Sequence, residues 1–364
     1  MKRLTAFTVM LLVAAAQPGG EAAATARAVD KANAFLASLS DAQRAQGTFG
    51  FDDQKQRVRW SNLPSPMFSR AGLRLGDLGP TQRSAAMDLL SAALSKQGFE
   101  KVLAIMEGDE ALKSQEQGNG PGPGPGSPPD FAQGRGKGKG KGGPGGPGGS
   151  PAFGKDNFYI SILGAPSRTA PWMLQFGGHH LALNLTFAGS HGVLTPSLTA
   201  AQPARYTLNG KTVRPLGAEN DKGFALINAL DAGQQKQAIL PYQVRDLVLG
   251  PGEDGKMIQP EGIKGSALQP AQQALLLDLI AEWSGIVHEA AAAARMAEIK
   301  AQLADTWFAW SGPTENGRAA YYRVQGPTLV IEYAPQSMGG DPTQHIHTIY
   351  RDPTNDYGVK WTKK

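Results

Sequence analysis

The chain beyond residue 156 consists mainly of short apolar and aromatic runs, many separated by short turns. Strands that follow one another through short turns pair antiparallel. Two alanine- and leucine-rich segments, 270–283 and 288–303, have helical patterns. The sequence therefore predicts an α+β fold, with a largely antiparallel sheet flanked by helices. The predicted strands lie at 157–163, 172–176, 180–187, 307–310, 320–324, 328–333 and 345–350.

The first third of the chain is more mixed. After a first helix at 28–39, segment 40–47 is predicted to end that helix and form a turn. Segment 48–51 is predicted to pair with 57–60 as a hairpin. Further along, Asn209-Gly210 is a strong signal for a tight hairpin turn. No internal repeat is detected. The predicted helices of this part lie at 28–39, 81–96 and 99–112.

Residues 115–152 differ from the rest in composition. They contain Gly-Pro repeats, a run of alternating glycine and lysine, and Gly-Gly-Pro steps. Such a segment has almost no apolar groups to offset the entropy of ordering it. We expect a long disordered insert within a single α+β domain at 27–364. A basic arm that touches an anionic polymer or membrane surface is the alternative.

The first residues resemble an export signal. Lys2 and Arg3 precede a mostly apolar run, and small residues follow in the pattern of a cleavage site. The run is too short for a membrane anchor, which needs roughly 20 apolar residues. Residues 1–26 are therefore predicted to be a signal peptide with a short leader, and the protein to be exported to the periplasm or the extracellular space, with no stable membrane span.

Composition limits the chemistry. The chain has no cysteine, so any metal must be held by His, Asp, Glu or backbone oxygen. The net charge of +5 comes largely from the leader and the insert, which leaves the folded body nearly neutral. A neutral body argues against a nucleic-acid-binding surface. The partners expected are an unknown small molecule or polymer.

Four of the six histidines occur in two tight pairs, Gly177-Gly178-His179-His180 and His345-Ile346-His347. Alternate residues of a strand share a face, so His345 and His347 should point to the same side. Adjacent strand residues face opposite ways, so His180, the preferred candidate, or His179 should join them. Histidine is a common ligand of copper, zinc and iron. Histidines that only hydrogen-bond within the sheet are the alternative.

Glu332 is a further candidate ligand, because a carboxylate within an apolar strand is costly to bury unless it is bound or paired. The alternative is a solvent-facing acid or a partner for Arg323. Asp352 or Asp356 could orient an imidazole by accepting its second N–H. His191, beside glycines in a predicted turn, is a weaker ligand candidate, and His288 at a helix start is expected to be structural.

Three motifs resemble those of a known family. They are Gly177-Gly178-His179-His180-Leu181, the segment 322–327 with Glu332-Tyr333, and the segment 345–352 continuing to 356–358. Together they resemble the Domain of Unknown Function 3500 family over about residues 27–361. The insert at 115–152 departs from the family pattern in length and glycine content. The resemblance implies the layout of the chain, and the family name carries no established activity.

The leading hypothesis is an exported metalloprotein with a first-row transition ion (copper, zinc or iron). It would be a metal-dependent enzyme, either a hydrolase or an oxidoreductase, of unknown substrate. One alternative is a metal-free protein that binds an envelope or extracellular polymer through aromatic side chains. Another is metal storage or delivery without turnover.

Deletion of residues 118–150 tests the interpretation of the insert. Because a flexible loop contributes few contacts, we expect the melting temperature to stay nearly unchanged. Thermal unfolding of the shortened and full chains provides the comparison. A large fall in melting temperature would mean that the segment is part of the folded body.

Overall fold

The computed structural model describes residues 20–116, 152–338 and 340–362. The insert predicted at 115–152 lies outside these residues except at its ends, and so do residues 1–19 of the predicted leader. Within the described ranges no helix is both long and apolar enough to cross a membrane.

Helices and strands alternate in groups along the described chain. The helices are α1 (Gly20–Ser38), α2 (Asp41–Gly47), α3 (Gln54–Arg57), α4 (Pro80–Ala93), α5 (Lys96–Glu116), α6 (Gly217–Ala229), α7 (Ala232–Ala238), α8 (Pro270–Ser284), α9 (Glu289–Ala301) and α10 (Val359–Thr362). The strands are β1 (Thr48–Phe49), β2 (Leu73–Arg74), β3 (Tyr159–Leu163), β4 (Trp172–Gly177), β5 (Leu181–Ala188), β6 (His191–Ala201), β7 (Tyr206–Leu208), β8 (Lys211–Val213), β9 (Ile263–Lys264), β10 (Trp307–Ser311), β11 (Tyr321–Gly326), β12 (Leu329–Pro335) and β13 (Ile346–Arg351).

Eleven strands form one sheet in the order β1-β3-β4-β5-β6-β13-β12-β11-β10-β9, with β2 also beside β3. Only β1 and β3 pair parallel among these strands, and the rest pair antiparallel. The predicted α+β fold with a largely antiparallel sheet is thereby confirmed. Strands β7 and β8 form a separate hairpin at Asn209-Gly210, where both residues have positive φ as a tight turn requires.

The two faces of the sheet are covered differently. Helices α1, α4 and α5 pack on the apolar face of β3 to β5, and α6, α8 and α9 pack on that of β10 to β12. On the opposite face two long loops lie against the strands. Trp60 and Leu247, one from each loop, pack with Ala182, Leu198 and Ile349. We call this second side the loop face.

The strand order reads the same from both edges toward the centre, where β6 pairs with β13. The N-terminal half (20–201) and the C-terminal half (217–358) therefore repeat one arrangement around a pseudo-twofold axis. Each half has two helices, a short edge strand (β2 or β9), two more helices and four antiparallel strands, and the first half adds β1 and α3 before its edge strand. The sequence-based prediction of no internal repeat was therefore wrong.

Two pairs of glutamines mark the repeat at the level of side chains. Gln43 and Gln82 exchange hydrogen bonds through their amides in the N-terminal half, at 3.1 and 2.8 Å. Gln234 and Gln272 do the same in the C-terminal half, at 2.9 and 2.7 Å. Each of the four also caps a helix by accepting from a backbone N–H three residues earlier. One glutamine network thus fastens two helix starts together in each half.

A glycine in each half allows the same close approach. Gly72 has a φ of +94°, and an added Cβ would lie 2.6 Å from the carbonyl oxygen of Ile160 in β3. Gly262 has a φ of +97°, and an added Cβ would lie 2.1 Å from the carbonyl oxygen of Phe308 in β10. The sequence carries this part of the repeat, since Gly72, Pro80 and Gln82 recur as Gly262, Pro270 and Gln272 at a constant spacing of 190 residues.

Three local predictions were wrong. The hairpin between 48–51 and 57–60 does not form, because Asp53 caps α3 at that point and β1 pairs with β3 instead. Segment 40–47 is a helix rather than a turn, since Ser40 and Gln43 form a capping box. His191 begins the long strand β6 rather than lying in a turn.

Replacing Gln272 with alanine tests the glutamine network. The change would leave the buried amide of Gln234 and the carbonyl of Ala229 without hydrogen bonds that Gln272 donates. We expect a loss of about 2–3 kcal/mol in the free energy of unfolding, measured by urea denaturation. Gln237→Ala, at an exposed position of α7, is the matched control. A Gln272→Ala variant as stable as this control would contradict the assigned role.

Candidate metal centre

His179 and His180 occupy the turn that joins β4 to β5. The N–H of Gly178 donates to the carbonyl of Leu181 at 2.8 Å and closes the turn. The prediction that the two histidines are strand residues facing opposite ways is wrong, because the period of two does not apply in a turn. Their ring centroids lie only 3.5 Å apart. Both imidazoles therefore reach the same region.

The second histidine pair lies at the centre of the sheet. His345 directly precedes β13, and His347 pairs with Ala200 of β6 and Ala334 of β12. The Nε2 atoms of His345 and His347 are 2.9 Å apart. The two rings therefore share the loop face, as alternation along a strand requires.

Folding brings His180 to this pair. Its Nε2 atom lies 3.3 Å from Nε2 of His345, and one ligand nitrogen from each of the three histidines lies within 4.8 Å of the others. Zinc–nitrogen bonds of about 2.0–2.1 Å put two tetrahedral ligands roughly 3.3 Å apart. The 3.3 Å between His180 and His345 therefore matches the ligand spacing of a first-row ion, and the 2.9 Å between His345 and His347 is slightly shorter. We call these three residues the histidine triad.

Hydrogen bonds on the far side of two imidazoles determine which ring nitrogen carries the proton. His345 Nδ1 lies 2.7 Å from the Met338 carbonyl oxygen, and His180 Nδ1 lies 3.0 Å from Asp109 Oδ1. Since carbonyl and carboxylate oxygens only accept, both Nδ1 atoms donate and both Nε2 atoms carry lone pairs. Two facing lone pairs repel unless a proton or cation lies between them. This arrangement suits a cation.

His347 is held from the two long loops. Its Nδ1 lies 3.2 Å from Nδ2 of Asn62 and 4.0 Å from Oδ1 of Asp246. Although partial burial alone would raise the pKa of Asp246, the contact with His347 lowers it. Since the amide nitrogen of Asn62 can only donate, Nδ1 of His347 accepts here and its Nε2 carries the proton, toward His345. Ligation by Nε2 would need the other tautomer, for which Asp246 is the neighbouring carboxylate.

Asp109 is the residue that sequence reasoning missed. It lies on α5, 1% exposed, with its Oδ1 near the Nδ1 atoms of His180 and His179 at 3.0 and 3.4 Å. Although burial alone would raise its pKa, these two histidines hold the pKa of Asp109 well below its usual range. A signal was present, because Asp109 continues the buried stripe of Val102, Ile105 and Met106 at helical spacing.

The imidazoles of His179, His180 and His345 are neutral at pH 7. Burial, followed by repulsion from His179, lowers the pKa of His180 to about 3. Burial, with repulsion from His180 and His347, lowers the pKa of His345 to about 3. The pKa of His179 is lowered chiefly by burial as well, against the opposing effect of Asp109. A metal ion would therefore not compete with protons for these nitrogens near neutral pH.

Glu332, predicted as a possible ligand, does not lie with the histidine triad. Its carboxylate is fully buried and accepts from the N–H groups of Val248 and Leu249 at 2.9 and 2.8 Å and from the hydroxyl of Tyr321 at 2.6 Å. The groups of potential ligands among the described residues do not include it. Glu332 instead fastens the second long loop to the sheet.

The predicted outer partners also bind elsewhere. Arg323 pairs with Glu261 at 2.8 Å. Asp356 accepts from the N–H of Asp352 and from Arg351. These contacts connect the end of β13 to the following turn and to the second loop. The role of orienting an imidazole, which was assigned to Asp352 or Asp356, belongs to Asp109.

The two remaining histidines lie apart from the triad. His288 caps α9, with its Nδ1 accepting from the N–H of Ala291, in agreement with the structural role predicted for it. His191 is exposed at the start of β6, where its ring stacks on Trp361 at 5.0 Å.

The histidine triad spans both halves of the repeat, because His180 comes from the first half and His345 and His347 from the second. Thr328, just before β12, corresponds to His180 just before β5. Its hydroxyl donates to the side chain of Gln302 at 3.1 Å, and this contact corresponds to the one between His180 and Asp109 in the first half. The pseudo-twofold therefore repeats the backbone and one polar contact, but the second position has no imidazole.

Fold and site together define an α+β protein with a duplicated sheet and buried His and Asp groups that could hold a metal ion. The family model described as "Protein of unknown function (DUF3500)" matches residues 21–359, and the chain belongs to this family. A search of curated proteins and a search of solved structures gave no match.

The metal-free protein should lose stability as the pH falls from about 6.5 toward 3. His180 and His345 bind protons below pH 6.5 when unfolded but only near pH 3 when folded, so the unfolded chain takes up more protons in between. Each such group removes about 1.4 kcal/mol per pH unit within that window.

Urea denaturation of chelator-treated protein at pH 7 and pH 5 measures this loss. Burial raises the pKa of Asp356 to about 6, so protonation of this carboxyl stabilises the folded chain as the pH falls below 6. The parent is therefore compared with His345→Asn, which keeps Asp356. The variant should show a shallower fall than the parent. Equal pH dependence in the two proteins would contradict the assignment.

Proposed function

We propose that this protein is an exported metalloprotein in which His180, His345 and His347 bind one first-row transition ion. The observation that carries the proposal is the approach of Nε2 lone pairs at 3.3 Å, fixed by the donors on the far side of His180 and His345. A buried arrangement of facing lone pairs is unfavourable without a cation. Metal binding relieves it.

The donor set favours copper, zinc or iron. Imidazole suits these ions, whereas calcium and magnesium prefer oxygen ligands. The chain offers no thiolate that could select another ion. The hydrogen bonds to Met338 and Asp109 hold two of the imidazoles in the tautomer that ligation by Nε2 requires.

A metal-dependent enzyme is the activity that the site supports best. Three protein ligands leave the fourth position of a tetrahedral ion to water or substrate, which is the arrangement of catalytic rather than structural zinc sites. A bound ion would supply either Lewis acidity for hydrolysis or one-electron chemistry for oxidation. The chain's own contribution is to hold the imidazoles rigidly, since all three side chains are at most 7% exposed.

The alternative of a polymer-binding protein has less support. It relied on an aromatic surface, and the large aromatic side chains Trp172, Trp283, Trp310, Tyr321 and Tyr322 are fully buried. Buried aromatic rings cannot stack on an extended ligand. Metal storage or delivery remains the competing function, and it differs from an enzyme in lacking turnover.

Export remains part of the proposal on the strength of the N-terminal residues. Lys2 and Arg3 with the apolar run behind them match a signal peptide. Helix α1 begins at Gly20 and buries Ala24. Cleavage after Ala16 would leave this helix whole, and cleavage after Ala24 would remove its first turn.

Elemental analysis of the protein purified from the compartment where it accumulates tests the proposal. We expect at least about one first-row ion per chain, and about one ion fewer in a double variant with His345→Ala and His347→Ala, which removes two ligands of the histidine triad. His191→Ala, which removes an exposed imidazole, is the control and should keep the metal. Absence of metal from the parent protein, even after reconstitution with copper, zinc or iron, would contradict the proposal.

A further inference from the structure

Two groups of potential ligands share one imidazole. His180 directs Nε2 toward His345 and His347, and Nδ1 toward Asp109. Asp109, His179 and His180 form a second group whose ligand atoms also lie within 4.8 Å of one another. One imidazole can bind two ions through its two nitrogens when it has lost both protons. The geometry of His180 allows this.

The second group has unused ligand atoms. Asp109 Oδ2 and His179 Nδ1 are buried and have no hydrogen-bond partner among the described residues. A buried polar atom without a partner is costly. The distances from Asp109 Oδ1 to the Nδ1 atoms of His180 and His179, 3.0 and 3.4 Å, are close to the roughly 3.3 Å between two ligands of a tetrahedral first-row ion.

We propose that the centre binds two metal ions bridged by His180, a proposal that rests on the proposed function and extends it. The first ion lies on the histidine triad. The second lies on His180 Nδ1, His179 Nδ1 and the carboxylate of Asp109. Metal–nitrogen bonds of about 2.0–2.1 Å on both sides of one ring put the ions roughly 6 Å apart.

Charge at the second position determines the order of binding. When the second ion binds, a metal–nitrogen bond forms at Nδ1 of His180 and the proton of that nitrogen passes to solvent. The carboxylate of Asp109 and the bridging ring then offset the charge of the ion. The guanidinium of Arg70 donates to the Gly178 carbonyl at 2.6 Å and lies near Asp109. Its positive charge repels the second ion. The second ion should therefore bind more weakly than the first.

Metal titration of the full chain tests this inference, with zinc and copper(II) as the probes. We expect two ions per chain in the parent, bound in two steps, and one ion in His179→Gln and in Asp109→Asn. His191→Ala should still bind two ions. If Asp109→Asn does not fold, the His179→Gln variant alone decides the result.

The copper form provides a readout independent of stoichiometry. A bridging imidazolate couples two copper(II) ions antiferromagnetically, so the ordinary electron paramagnetic resonance signal of the doubly loaded parent should integrate to well below two spins per chain. His179→Gln should instead give one uncoupled spin. A parent that binds a single ion, or a His179→Gln variant that keeps two coupled ions, would overturn the inference. A single ion would leave the proposed function standing, whereas no ion at all would remove both.

Discussion

The pairing of β6 with β13 is the interaction on which the rest of the structure depends. Five residue pairs, from Ile346 with Ala201 to Tyr350 with Ser197, join the two halves into one sheet. The same pairing sets His347 opposite Ala200, whose N–H donates to the carbonyl of His180 at 2.9 Å. The ladder therefore determines both the continuity of the sheet and the meeting of the histidines.

The duplicated architecture explains how such a site can be built without disturbing the fold. Each half keeps its own glutamine network and its own glycine contact, and these hold the helices against the strands. The residues that make the site lie around the turn before β5, and their counterparts around the turn before β12 are different. His180 and Asp109 occupy one position, and Thr328 and Gln302 occupy the other. The chemistry is therefore carried by a few side chains on a repeated frame.

Much of the fold could be predicted from the sequence, because it depends on local patterns. The helical stripes at 81–96 and 270–283 and the turn at Asn209-Gly210 identify their elements directly. Pairings between distant segments could not be predicted. The sequence places β1 beside an apparent hairpin partner, and only the folded chain pairs it with β3, more than 100 residues away. The repeat was not predicted, although the segments that begin at Gly72 and Gly262 share a proline and a glutamine at the same spacing.

The site was predicted in part, and the errors have physical causes. The spacing of His345 and His347 was sufficient to predict that both rings lie on one face of the sheet, because side chains alternate strictly along a strand. His179 and His180 were assigned opposite directions by a rule that fails in a turn. Glu332 was correctly suspected of needing partners, but the partners are backbone N–H groups.

X-ray absorption spectroscopy of the metal-loaded protein tests the central claim most directly. The convergence of His180, His345 and His347 predicts a first shell dominated by nitrogen at about 2.0–2.1 Å, with the outer-shell scattering of at least three imidazole rings. A first shell composed of oxygen, or scattering from no more than one imidazole, would contradict the account.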